Sequence, residues 1–437
     1  MNINEISNNY WPVEFLEIIA IFFTWVLKYF GYLMNEKDFN QHLYCKNCHQ
    51  RNTYDSIGII SVIVGERLCK ICKVNLLEKD FDNWTSNNET IDYFIQNQQK
   101  IAIGSKWKFQ WIPFEDLTDV NSEPIGEGGF SKVYISNWKF AKNTKRWWIK
   151  KLDNFVDLKC KVAIKSLKDS QNITYDFLQE VGKIRIVHDK VITDKIVQCF
   201  GISQDPIDNN YLMIMMYIEK GNLIKYLVEN DYLRVGENSW KNNISSFLNK
   251  LKLLIEISKG LDLIHEKNLI HCDFHPGNIL VENKYNCYIS DLGLCRPVNE
   301  KNSNKIYGVL PYVAPEVLMG NGYTKESDVY SFGIVAYEVL MELSAYSDNY
   351  YEDDNNLIID VSLNHKRPTF RDGEIPLLIR NLIEKCWDYD ASIRPSSWII
   401  KECLINWQED IQKDSLFSRQ TKESIISNYN NYYIEKE

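Results

Sequence analysis

Two groups of residues in this sequence have the types and spacing to do chemistry. The first opens with Ile125-Gly126-Glu127-Gly128-Gly129-Phe130-Ser131-Lys132-Val133-Tyr134, a glycine-rich turn between two strand-like stretches. Glycine lets a backbone approach phosphate oxygens closely and point its N–H groups at them. Such turns are common in hairpins, and what raises this one is order. Val162-Ala163-Ile164-Lys165 follows it, an apolar run that would set one lysine on a strand with its ammonium free to pair with phosphate. The second group is Cys45-Lys46-Asn47-Cys48 and Cys69-Lys70-Ile71-Cys72, two C-x-x-C knuckles separated by 20 residues. That spacing lets four thiolates converge tetrahedrally on one Zn²⁺. Four sulfur ligands close the coordination sphere, so the expected role is structural, with metal supplying folding energy to a segment poor in core. Unligated cysteines or a redox pair are the alternatives, and His42 and His49 are weaker ligand candidates nearby.

The elements that must position these groups can be read from composition and periodicity. With 437 residues the chain is long enough for two or three parts at roughly 100 to 200 residues each. Apolar residues at 45% and charged residues at 25% are the balance of a soluble globular protein. A net charge of −9 argues against a broad basic surface for nucleic acid. The eleven cysteines are odd in number and several sit singly in apolar stretches, which favours a reducing, cytoplasmic setting over a disulfide scaffold. No secretory signal is expected. Five regions follow: an apolar helix candidate over 1–40, the cysteine segment over 41–80, a polar connector over 81–120, alternating strand and helix signals over 121–407, and a polar tail over 408–437. Within 11–34, Glu14, Glu17 and Lys28 leave only Ile18 to Leu27 uncharged, short of the ~20 residues of a spanning helix. An amphipathic helix is expected there, with a membrane anchor as the minor alternative. Lys161 to Lys165 and Tyr211 to Ile218 read as strands. Ser246 to His265 sets Phe247, Leu251, Leu254, Ile255, Leu261 and Ile264 on one helical stripe, and Ser327 to Met341 is helical. Strands first and helices after predict an α+β domain with two lobes.

Further on come His271-Cys272-Asp273-Phe274-His275-Pro276-Gly277-Asn278, Asp291-Leu292-Gly293 and Ala314-Pro315-Glu316. With these the chain resembles the eukaryotic protein kinase family over 121–407. The resemblance implies a two-lobed kinase fold, with a small antiparallel sheet carrying one helix and a larger, mainly helical lobe, here behind a zinc-ribbon-like segment. It implies ATP and Mg²⁺ or Mn²⁺ as cofactors beside the structural Zn²⁺, and protein substrates phosphorylated on Ser or Thr. Lys165, held by Glu180, would grip the α- and β-phosphates; Asn278 and Asp291 would bind the metal; Asp273 would receive or orient the hydroxyl proton. Glu180 is the chosen glutamate because Phe177, Leu178 and Ile184 give its helix an apolar face to dock. By the same resemblance, Ile125, Gly126, Gly128, Gly129, Val133 and Ala163 would surround the nucleotide. Met215 would back the adenine, and Met216 to Ile218 would offer it backbone hydrogen bonds. Ser327-Asp328 looks like a helix start that anchors the catalytic loop, and Arg394 looks like the partner of Glu316.

The sequence also departs from that family's pattern. Cys272 stands where an arginine usually receives an activation-loop phosphate, which weakens any switch through Ser303 or Tyr307. His275 stands where Ser/Thr kinases usually carry a lysine that contacts the γ-phosphate, and Val309 replaces a common threonine, so rate and substrate choice are open. A pseudokinase, keeping the fold as a nucleotide-binding scaffold, is the alternative reading. Tyr330-Ser331-Phe332-Gly333 resembles the tyrosine-kinase-like branch, and the cysteine segment with Trp84 and Trp111 resembles expanded fungal kinases carrying a zinc knuckle. The basic, aromatic stretch Lys139 to Lys168, with Trp147 and Trp148, is expected as an extended loop; it and the zinc segment are candidate docking surfaces for a partner.

Overall fold

A computed structural model describes residues 45, 47–50, 70–101, 109–127, 131–139, 159–168, 170–171, 178, 181–183, 195–229, 244–283, 285–298, 306–346, 354–370 and 375–412. The chain divides into two compact units, Met1–Asn88 with Gln99–Ile103 and Glu89–Gln98 with Gly104–Glu437. In the first, a tight turn at Cys45–Gln50, closed by His49 N–H to Cys45 O at 2.9 Å, precedes helix α1 (Lys70–Glu78). The amphipathic helix expected over 11–34, with its minor alternative of a membrane anchor, lies outside the described residues. Among the described residues no helix is long and apolar enough to cross a membrane.

The second unit begins in helix α2 (Glu89–Ile101), whose Ile91 and Ile95 lie one turn apart and are fully buried. Its small lobe is one sheet built from β1 (Gln110–Trp111), β2 (Leu117–Thr118), β3 (Gly126–Glu127), β4 (Ser131–Lys139), β5 (Lys159–Leu167), β6 (Cys199–Gln204) and β7 (Tyr211–Met216). The strands run in the order β1-β6-β7-β5-β4-β2, with β3 on β4. The expected antiparallel pattern holds except at β1, which pairs parallel with β6. β1 and β2 also fall where a polar connector was expected. Their apolar anchors Phe109, Ile112 and Leu117 are buried but too few to show a period. Gly201 permits the β1 contact, because a Cβ there would stand 2.0 Å from Gln110 O.

Lys139 to Lys168 is not one extended loop. Lys159 to Leu167 is strand, paired residue by residue with β4, so only 140–158 can be connecting loop, and those residues lie outside the described ones. Trp138, just before that stretch, is a core residue packed against Phe200 at 5.7 Å.

The large lobe contains α3 (Leu223–Glu229), α4 (Ile244–Glu266), β8 (Leu269–Ile270), β9 (Ile279–Asn283), β10 (Asn286–Ile289), β11 (Arg296–Pro297), α5 (Pro315–Leu318), α6 (Lys325–Met341), α7 (Asp354–Ser362), α8 (Leu377–Cys386) and α9 (Ser397–Gln412). α4 buries the stripe read from the sequence, packs along α9, and reaches β10. The close approach to β10 is made at Gly260, where a Cβ would sit 2.6 Å from Ile289. α6 starts at a Thr324–Ser327 capping box, which satisfies N–H groups that the first helical turn leaves open. The two-lobed α+β architecture is the one the sequence predicts.

Candidate active site

Strand alternation separates a core face from a site face in the small lobe. Val162 and Ile164 of β5, with Leu212 and Ile214 of β7 and Trp138 of β4, form the buried core. Residues one step out of phase must point the other way. The register places Val133, Lys165 and Met213 side by side, and Ile135, Ala163 and Met215 beside them. Thus Val133, Ala163, Lys165 and Met215, each singled out from the sequence, share one face. Ile125 joins its edge, donating its N–H to Val133 O at 2.7 Å, and Gly126 pairs with Val133. The Met216 N–H is taken up by Gln198 O at 2.8 Å, and Ile218 O accepts from Gly221 N–H at 3.3 Å, so these two backbone groups already have partners within the chain.

Lys165 is 8% exposed, and its Nζ lies 3.1 Å from Asp291 Oδ1. Asp291 adopts the left-handed conformation at φ 56° and accepts the Gly293 N–H. Burial pushes the Asp291 carboxyl up, but the Lys165 charge and hydrogen bond, with smaller help from His271 and Gly293, outweigh it and hold the group below the usual carboxylate range. Lys183, on the helical residues 181–183, donates to Gly293 O at 3.4 Å and so ties that helix to the same turn.

Opposite stands the loop between β8 and β9. Asn278 Nδ2 donates to Asp273 O at 2.9 Å and to Asp273 Oδ2 at 3.0 Å. The other carboxylate oxygen, Asp273 Oδ1, is buried with no hydrogen-bond partner. Because its amide nitrogen is turned to Asp273, Asn278 presents a carbonyl oxygen at its other end. The Asp291 turn adjoins it, since the Ser290 N–H donates to Asn278 O at 2.8 Å, so two residues with the hard oxygens that Mg²⁺ prefers stand on neighbouring segments. His275 caps the turn after it, its Nδ1 accepting the Gly277 N–H at 3.1 Å.

The loop is held from beneath by Asp328, which is 1% exposed. Asp328 Oδ2 accepts the His271 N–H at 2.7 Å and lies 2.9 Å from His265 Nε2, while Oδ1 accepts the Cys272 N–H at 3.0 Å. Cys272 takes a left-handed φ of 67°, and burial followed by the Asp328 charge raises its thiol pKa against the pull of neighbouring Arg296. Farther out, Arg394 and Glu316 form a two-pronged ion pair at 2.6 and 2.8 Å.

The sequence reasoning did not identify His265, Tyr312 and Glu338 as parts of this support. His265 is hidden in the apolar stripe of α4, although a lone histidine at a helix end was the available signal. Tyr312 Oη donates to Glu338 Oε2 at 2.8 Å, a contact between residues distant in the chain. Glu180, Gly128, Gly129, Ser303 and Cys69 lie outside the described residues. Of the candidate zinc ligands, Cys45, Cys48 and Cys72 bring their sulfurs within 4.8 Å of one another, and Asn47 Nδ2 donates to Cys72 Sγ at 3.3 Å. Three sulfurs gathered in this way are a candidate set for a shared metal ion.

The family model for protein tyrosine and serine/threonine kinases matches residues 120–404. A probable serine/threonine-protein kinase of Dictyostelium discoideum is 28% identical over 273 residues, 62% of this chain and 18% of that protein. The RGS domain-containing serine/threonine-protein kinase A of the same organism is 30% identical over 238 residues, 54% and 19% of the two chains. Serine/threonine-protein kinase VIK of Arabidopsis thaliana is 28% identical over 321 residues, 70% and 64%. The aligned part thus spans less than a fifth of the two Dictyostelium relatives and under two thirds of the plant one.

Proposed function

The chain belongs to the protein tyrosine and serine/threonine kinase family, and on that premise we propose that it transfers the γ-phosphoryl group of ATP to serine or threonine hydroxyls of protein substrates in cytoplasmic signalling. The observation that carries the reading is convergence: Lys165 from β5 bonds Asp291 after β10, Asn278 clamps Asp273, and the two pairs are joined where Ser290, next to Asp291, donates its N–H to Asn278 O at 2.8 Å.

The chemistry asks for an aligned phosphate, neutralised charge and a directed hydroxyl. Lys165, with Glu180 as its assigned helix partner, grips the α- and β-phosphates against the face that carries Val133, Ala163 and Met215. Gly126, Gly128 and Gly129 cover them. Asn278 and Asp291 hold Mg²⁺, which when bound neutralises phosphate charge. Asp273, whose buried Oδ1 accepts no hydrogen bond within the chain, takes the proton of the incoming hydroxyl. The oxygen–phosphorus bond to the substrate forms as the bond to the β-phosphate oxygen breaks, and ADP leaves. Serine/threonine choice is supported by the names of the relatives and by His275-Pro276-Gly277-Asn278, closer to the Lys-Pro-x-Asn form of such enzymes. Tyr330-Ser331-Phe332-Gly333 supports placement in the tyrosine-kinase-like branch. The cysteine cluster supports a structural zinc completed by Cys69, with that segment and residues 140–158 as docking surfaces for protein partners.

Transfer of labelled phosphate from Mg-ATP to the chain or a generic protein substrate, absent in Asp273→Ala, tests the activity; phosphoamino-acid analysis reads the acceptor. A folded parent without transfer under Mg²⁺ or Mn²⁺ would instead support the pseudokinase reading. Metal analysis of the chain purified under reducing conditions is expected to give one zinc, lost in Cys72→Ser, and a zinc-free parent would refute the metal site.

A further inference from the structure

The imidazole of His275 is held more tightly than a turn cap needs. Its Nδ1 accepts the Gly277 N–H at 3.1 Å, which fixes the neutral ring in the tautomer that carries its proton on Nε2. That Nε2 lies 3.5 Å from Asp273 Oδ1, the carboxylate oxygen that Asn278 leaves unbound. On one side, the ring lies so close to Gly277 that a Cβ there would stand 2.5 Å from His275 Cε1. On the other it packs against Tyr312 at 5.9 Å between ring centres, and Tyr312 is fixed in turn by its hydroxyl on Glu338. Gly308 completes the enclosure, since a Cβ on it would meet Asp273 Oδ1 at 3.1 Å. A cap requires only the Nδ1 end of the ring, so the remaining restraints act on where Nε2 points.

We propose that His275 is a positioning residue for Asp273: its Nε2–H, aimed by Gly277 and Tyr312, restrains the free carboxylate oxygen in the direction of the incoming hydroxyl. Asn278 clamps one oxygen of the carboxylate and the backbone behind it, and His275 restrains the other, so the side chain is fixed at both ends. The 3.5 Å separation is longer than a formed hydrogen bond and is of the kind that tightens when reactants fill a site. This is a neutral donor's task, which a lysine in the same place would not perform in the same way, since a lysine brings a charge and no acceptor for the Gly277 N–H. The inference rests on the phosphoryl-transfer reading above.

Three variants separate the two ends of the ring. His275→Gln places an amide donor near the position of Nε2, His275→Met has the same length without a donor, and His275→Asn keeps an acceptor for the Gly277 N–H but cannot reach Asp273. Steady-state kcat, KM for ATP and melting temperature are measured for each beside the parent. His275→Met and His275→Asn are expected to lose on the order of 10- to 100-fold in kcat with KM for ATP held, the scale of misplacing a reacting group. His275→Gln is expected to recover most of that loss. Equal kcat for His275→Gln and His275→Met in an active, folded background would overturn the proposal, as would a fully active His275→Asn. A parent with no transfer at all would instead remove the reading on which it stands.

Discussion

Exchanging Asp328 for asparagine tests whether the catalytic loop owes its shape to one buried carboxylate. In the better of the two amide orientations the nitrogen replaces Oδ1 and faces the Cys272 N–H, leaving that buried donor without its 3.0 Å partner. An orphaned donor costs about 1.5 kcal/mol, and the bonds from His271 and His265 each weaken by somewhat under 1 kcal/mol when their acceptor loses its charge. The sum is roughly 3 kcal/mol. Spread over a unit the size of the family match, at about 2.1 cal/mol/K per residue, it lowers the melting temperature by roughly 5 °C. The effect on rate is larger in proportion, because Cys272 holds a left-handed φ of 67° that a residue with a side chain leaves when its tether goes. Asp273 would move with it, with a loss on the order of 10²-fold in kcat. Calorimetry and a transfer assay on one preparation read both effects. A variant that melts within about 1 °C of the parent and keeps its kcat would refute the claim that Asp328 shapes the loop.

Removing the Arg394 side chain leaves Glu316 unpaired at a site where the guanidinium side chain is 0% exposed, and Arg394→Ala is expected to cost about 3–5 kcal/mol by denaturant titration. Gly201→Ala puts a Cβ 2.0 Å from Gln110 O and should release β1 from β6, seen as loss of hydrogen-exchange protection at the Ile112 N–H, which donates to Ile202 O. The Asp291 carboxyl titrates below its ordinary value when folded, so its contribution to stability is complete above about pH 4 and fades as pH falls through the lower folded value. Lys165→Met should shrink that acid-limb loss in the metal-free protein, measured as melting temperature against pH; an unchanged slope would contradict the pairing.

Much of this site is local in sequence and therefore legible there. Asp273 and Asn278 stand five residues apart on one loop, and the alternation of Val162-Ala163-Ile164-Lys165 already separates a core face from a site face. What the sequence withheld is long-range or too short to have a period. β1 and β2 are two residues each, and their burial depends on Gly201 and Trp138, distant in the chain. The His265–Asp328 contact joins residues 63 apart, and a lone histidine at the end of an apolar stripe signals a polar partner without naming it. Within Lys139 to Lys168 only Lys161 to Lys165 shows a strand's alternation, and the charged flanks conceal the extension of β5 to Lys159 and Leu167.

The nine matched pairs between β4 and β5 carry a consequence for how this protein can change over time. Register along that ribbon is set by its own ladder and by which face can be buried, since a slip of one position would drive Lys165 into the hydrophobic core. The aim of the lysine thus follows from that ladder. Lengthening such a connection costs only about 0.6 kcal/mol for each doubling. New recognition sequences can accumulate between these strands, be exchanged or be deleted, while the chemistry next to them stays under separate selection.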